Sequence, residues 1–75
     1  MSENKNNMRI KINMLLAARD MKLQDLANKL GTSHSNISDK MKRNNFSEKE
    51  IRAIAKACDA RFDGRFILDD TEQKF

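Results

Sequence analysis

The chain lacks proline, and its 75 residues include only two glycines, Gly31 and Gly64. Because these residue types interrupt helices most often, their scarcity allows most of residues 9 to 58 to be helical. The single cysteine, Cys58, cannot form an internal disulfide, which excludes a disulfide-stabilised secreted scaffold and favours a reducing, cytoplasmic compartment. No apolar run is long enough for a signal peptide or a membrane span, so we expect no membrane partner.

Residues that carry catalytic or metal chemistry are also scarce. One histidine, His34, and the distant Cys58 supply neither a zinc site nor a nucleophile and its base. Carboxylate pairs and phosphate-binding glycine loops are missing, so the sequence predicts no enzyme, cofactor, metal or small-molecule ligand. Four phenylalanines without tyrosine or tryptophan leave few surfaces for stacking RNA bases.

The charge is +4 and unevenly distributed along the chain. Residues 1 to 58 carry twelve Lys or Arg against six Asp or Glu, whereas residues 59 to 75 carry three against five. A basic surface on the first three-quarters of the chain suits a polyanionic partner, although Lys and Arg also simply solvate helix faces. Charge therefore does not decide the function by itself.

Apolar periodicity and capping residues predict four helices. The first spans about Arg9 to Arg19, the second starts at Lys22 and ends before Gly31, the third covers His34 to Arg43, and the fourth begins after Ser47. The clearest local signal is the S-x-x-E pattern of Ser47 and Glu50, in which each side chain caps the other's backbone N–H group. Phe46 precedes it and can pack on Ile51 one turn later.

After Asp59 the apolar period changes to two, which predicts a strand at about residues 61 to 68. Asp69 to Thr71 can turn the chain so that residues 72 to 75 pair back on it. The apolar residues of this strand either complete the core or form a homodimer interface by pairing edge to edge with a second copy, and both alternatives remain open. The candidate interface residues are Phe62, Phe66, Ile67 and Leu68. We accordingly divide this small chain into a tail at 1–8, a helical domain at 9–59 and a β arm at 60–75.

Residues 23 to 43 have the layout of a helix-turn-helix: two helices joined by a turn that a glycine leads. Ala27 is small where the helices must approach, Gly31 permits a positive φ, and Leu26 and Ile37 face inward. The outer face of the third helix is left polar. His34, Ser35, Asn36 and Ser38 carry groups that can hydrogen-bond to base edges in the major groove.

The string LQDLANKLGTSHSNISDKMKR resembles the Cro and phage-repressor class of helix-turn-helix proteins, also called lambda-repressor-like or xenobiotic-response-element type. Leu26-Ala27, Gly31, Ser33 and Ile37-Ser38 match its pattern, and the similarity extends over residues 9 to 70. It implies a mainly α, four-helix domain with a short C-terminal β-strand or hairpin. It further implies a transcriptional regulator, a repressor of bacterial or phage type, that binds a palindromic double-stranded DNA operator as a homodimer.

The resemblance also implies a set of phosphate contacts, namely Lys22, Gln24, Ser33, Lys40, Lys42, Arg43 and Asn44. In the family, Ser or Thr usually caps the second helix and the Gln after it contacts a phosphate. This chain has Lys22 and Leu23 at those positions, so the phosphate contact is assigned to Lys22 and Gln24. Lys40 stands where the family usually has an apolar residue, so its long side chain is expected to extend towards a phosphate. Leu16 and Met41 replace an Arg–Glu ion pair common in the family, which an apolar contact can do without loss of stability.

Three further alternatives concern function. The same fold also occurs in protein-interaction modules such as antitoxins or anti-repressors, but a partner-binding helix would expose an apolar stripe that the third helix lacks. Asp39 either accepts a hydrogen bond from a cytosine amino group or pairs with Lys42 or Arg43 one turn away, the latter being favoured. Cys58 is interpreted as a buried apolar residue rather than a redox sensor.

Overall fold

The computed structural model describes residues 8–75, and it has the mainly helical fold that the sequence predicts. Its elements are α1 Met8–Ala18, α2 Leu23–Leu30, α3 His34–Arg43, α4 Glu48–Ala57, β1 Ala60–Phe62 and β2 Phe66–Leu68. The predicted tail lies outside the described residues except for Met8, the first residue of α1. No helix within residues 8–75 has the length and apolar character needed to cross a bilayer.

Local capping sets the ends of the helices where the sequence predicted them. Ser47 Oγ accepts from the N–H of Glu50 at 3.1 Å, and Glu50 Oε1 accepts from the N–H of Ser47 at 2.8 Å. This reciprocal pair confirms the predicted start of α4. Gly31 ends α2 in the left-handed region, with φ 72°, as expected for a glycine cap.

One apolar core unites the helices and the strands. It comprises Ile12, Leu15, Leu16, Leu26, Ala27, Ile37, Met41, Ile51, Ile54, Ala55, Cys58, Ala60, Phe66 and Leu68. Leu16 and Met41 are both buried in it, consistent with an apolar replacement of an ion pair. Burial raises the pKa of the Cys58 thiol to about 11, so this residue stays protonated and acts as a small core side chain.

The C-terminal segment differs from the single strand predicted at residues 61 to 68, and that prediction is wrong. β1 and β2 form an antiparallel hairpin in which Phe62 lies opposite Phe66. Gly64 reverses the chain between them with φ 73°, and the N–H of Asp63 donates to the carbonyl of Arg65 at 2.9 Å. The two phenylalanines lie on the same face of the hairpin, and their ring centroids are 5.1 Å apart in an edge-to-face arrangement. The hairpin therefore shows the same alternation of apolar residues that suggested a single strand.

Both edges of β2 are occupied within the chain. β1 lies on one side, and the returning residues 73–75 lie on the other: Phe66 and Phe75 exchange backbone hydrogen bonds of 3.1 and 2.9 Å. The predicted return of the C-terminus is confirmed. Edge-to-edge pairing of β2 with a second copy would therefore require displacing β1 or residues 73–75.

The side chains proposed for a dimer interface lie in the fold of a single chain. Phe66, Leu68 and Ile67 are 0%, 3% and 8% exposed, and only Phe62 is half-buried. Phe66 and Leu68 belong to the apolar core, Phe62 packs against it, and Ile67 is buried outside that core. The homodimer itself stays a prediction.

Hydrogen bonds from Arg19 link the end of α1 to the end of α4 and to the C-terminal turn. Its Nε donates to the carbonyl of Cys58 at 2.8 Å, and its Nη2 donates to the carbonyl of Asp59 at 2.8 Å. Asp70 accepts from both terminal nitrogens, at 2.8 and 3.1 Å. A planar guanidinium therefore satisfies carbonyls at a helix C-terminus and a carboxylate at once.

We predict that Arg19→Ala lowers the melting temperature more than Asp70→Asn does. The alanine variant removes one donor from each of two carbonyl groups, of which that of Asp59 keeps the N–H of Asp69, whereas the asparagine variant removes only one charge at a solvent-exposed position. Thermal unfolding followed by circular dichroism measures both. Equal melting temperatures for the two variants would show that the carbonyl contacts contribute nothing.

Candidate nucleic-acid interface

α2 and α3 pack through small and branched side chains, and a tight turn joins them. Leu26 and Ala27 are fully buried on α2, while Ile37 and Met41 bury the inner face of α3. After Gly31 the N–H of Thr32 returns to the carbonyl of Ala27 at 3.0 Å, which closes the helix end. The packing fixes the crossing of the two helices and turns the other face of α3 outward.

The outer face of α3 carries the predicted base-reading residues. His34, Ser35 and Asn36 are exposed and Ser38 is half-buried, all in the first one and a half turns. Ser33 Oγ caps the helix by accepting from the N–H of Asn36 at 3.1 Å. The amide nitrogen of Asn36 donates to Thr32 Oγ1 at 2.7 Å, so its Oδ1 is the atom better placed to accept from a base.

Cations and polar groups flank this face at two places. Lys42 and Arg43 are exposed in the last turn of α3, and Lys22 is exposed at the start of α2. Asp25 accepts from the Lys22 N–H at 2.9 Å, which fixes the chain where that lysine projects. Gln24 lies beside it on α2 and donates to Asn28 at 3.0 Å. A duplex backbone could bridge the two places, with α3 between them.

Two further residues predicted to bind phosphate, Asn44 and Lys40, contact residues of other helices in the chain. Asn44 ends α3 with φ 52°, and its Oδ1 accepts from the N–H of Arg9 at 2.9 Å. The Lys40 ammonium pairs with Glu50 Oε2 at 2.6 Å, which lowers the pKa of that carboxyl below its ordinary value of 4.5 together with the hydrogen bond from Ser47 N–H. Neither contact was visible in the sequence pattern.

Arg9 is a candidate that the sequence analysis missed. The Asn44 contact brings the backbone of the first turn of α1 against the last turn of α3, and the Arg9 side chain is exposed. Thirty-five positions separate the two residues, so no local pattern could join them. The contact therefore makes Arg9 a further cation to test at this end of α3.

Residues 8–75 contain no group of three or more His, Cys, Asp or Glu side chains that could hold a metal ion. What they do contain, an α2–turn–α3 unit with a polar outer face beside cations, defines the chain as a helix-turn-helix domain. The family model of the Cro/C1-type HTH DNA-binding domain matches residues 11–63, and the chain belongs to that family. A search of curated proteins and a search of solved structures each found no match.

Proposed function

We propose that this protein is a sequence-specific regulator of transcription, a repressor of bacterial or phage type, that acts in the cytoplasm. The observation that carries the proposal is the exposed polar face of α3 on a domain of a DNA-binding family. In this proposal α3 enters the major groove of duplex DNA, where helices of this width fit and base edges are distinguishable.

The proposed contacts divide into those that read bases and those that hold the backbone. His34, Ser35, Asn36 and Ser38 read base edges, while Lys42, Arg43, Lys22, Gln24 and Ser33 contact phosphates and fix the register. Asn44 acts from the end of α3 by holding the first turn of α1 in place. The exposure and position of these residues support the proposed roles.

A single α3 reads only a few base pairs, so we propose that two copies bind a palindromic operator. Half-sites about one helical turn apart, roughly 34 Å, would present two recognition helices to the same side of the duplex. The two copies would contact each other through surfaces outside β2, because the side chains of β2 are buried and its edges are paired within one chain.

The test is selection of bound duplexes from a random pool by the purified chain. We expect a recovered sequence preference with two-fold symmetry, and binding that weakens as salt rises. Recovery of duplexes without any shared sequence would contradict sequence-specific recognition. Shared but non-palindromic sites would contradict only the two-fold arrangement.

Readout by α3 predicts separable changes in sequence preference. Ser35→Ala and His34→Ala should each relax the preference at a different base pair, at a cost of about 1 to 3 kcal/mol where the substitution removes a good base contact. Repeating the selection with each variant measures this, and each variant serves as the control for the other. An unchanged preference in both would place the reading face elsewhere.

A further inference from the structure

The contact between Lys40 and Glu50 joins the recognition helix to α4. Lys40 Nζ lies 2.6 Å from Glu50 Oε2, and both side chains are about one-third exposed, at 35% and 36%. The other carboxylate oxygen, Oε1, accepts from the N–H of Ser47. One carboxylate therefore connects the first turn of α4 with the last turn of α3.

The ion pair bridges a gap between α3 and α4. A cleft of about 210 Å³ lies between them, and its walls include Leu30, Ile37, Phe46 and Ile54 as well as the ion pair. The principal packing partner of α3 is α2 rather than α4. In such partly apolar surroundings an ion pair is screened less than on an open surface, so it can hold α3 where side-chain packing does not.

We propose that Lys40 is a positioning residue, whose ion pair with Glu50 sets the angle of α3 on α4 and so aims His34 and Ser35 at the base edges. The inference rests on the proposed binding of DNA by α3. It replaces the phosphate contact that the sequence suggested for Lys40. The phosphate contacts at this end of α3 are then made by Lys42 and Arg43, which are exposed.

The two roles of Lys40 predict opposite signs for one substitution. If Lys40 bound a phosphate, Glu50 would compete with DNA for its ammonium, and Glu50→Gln would tighten binding. If the pair positions α3, the same substitution weakens binding. Glutamine is also accepted at the third position of a capping box, so Glu50→Gln keeps the start of α4 and removes only the ion pair.

The experiment measures affinity for the selected duplex and for a scrambled duplex over a range of salt concentrations. Lys40→Met, Glu50→Gln and the double variant are compared with wild type, and Lys42→Met is the matched control. We expect each single variant to lose about 2- to 5-fold in affinity for the selected duplex, a range typical of a partly exposed ion pair. The double variant should lose no more than either single variant, because both remove the same contact.

Two readouts separate positioning from phosphate binding or loss of structure. The slope of log affinity against log salt should stay at the wild-type value for Lys40→Met, whereas Lys42→Met should reduce it by about 0.9. Affinity for the scrambled duplex should be unchanged by Lys40→Met, and Lys40→Arg should restore affinity for the selected duplex.

Tighter binding by Glu50→Gln, a reduced slope for Lys40→Met, or unchanged affinity in both single variants would overturn the positioning role alone. A parallel loss on the scrambled duplex would overturn it as well. Failure of the wild-type chain to bind any selected duplex would instead overturn the proposed function, and the inference with it, before a variant is compared.

Discussion

Replacing Phe66 by alanine is expected to leave much of the protein unfolded at room temperature. Phe66 is fully buried, and its ring meets that of Phe62 across the hairpin. Truncating a buried phenylalanine costs about 3 to 5 kcal/mol, and a single core in a domain of this size supplies about that much stability in total. One side chain from the C-terminal hairpin thus decides whether the helices stay folded.

Urea unfolding followed by circular dichroism measures this loss. The control is Phe62→Ala, which removes the same ring from a half-buried position and should be clearly less destabilising. If Phe66→Ala kept the wild-type midpoint but changed sedimentation from dimer to monomer, the hairpin would be an association surface and its assignment to the core would be refuted.

Removing the two exposed cations at the end of α3 is expected to produce the largest loss of DNA affinity. Each phosphate contact contributes about 0.9 to the slope of log affinity against log salt, so a variant without two of these contacts should bind on the order of 50-fold more weakly at about 0.1 M salt. The variant is Lys42→Ala with Arg43→Ala, and both side chains are exposed. The loss should be similar for every duplex, because phosphates carry no sequence information.

The matched control for that variant is Arg65→Ala with Lys74→Ala. It removes the same two residue types from exposed positions in the C-terminal segment, and the same net charge. Measurement of affinity by fluorescence anisotropy at several salt concentrations compares the two. An equal loss in the control would mean that binding follows net charge alone and that the end of α3 is not a contact site.

Local signals in the sequence were sufficient for the helices. The capping pair of Ser47 and Glu50, the glycine cap at Gly31 and the spacing of Ile37 and Met41 each depend on residues within one turn of each other. Such signals predicted where α2, α3 and α4 begin or end and which face of α3 is exposed. They carry this information because helix ends are satisfied by nearby side chains.

Interactions between distant residues could not be predicted in the same way. Period two is shared by one long strand and by a hairpin with Gly64 at its turn, so the pattern alone did not separate them. Nothing near Lys40 indicates Glu50 as its partner, and nothing near Arg19 indicates the carbonyl of Cys58. These pairings arise only when the helices pack, and they changed the role assigned to Lys40.

The most direct test of DNA recognition by α3 is titration of the isotopically labelled protein with the selected duplex, followed by amide chemical shifts. Recognition by α3 predicts that the largest changes occur in residues 34–43 and near Lys22, that residues 60–75 change little, and that a scrambled duplex gives smaller changes. Changes concentrated around Ile10 and Met14, the exposed apolar residues of α1, with α3 unaffected, would contradict it.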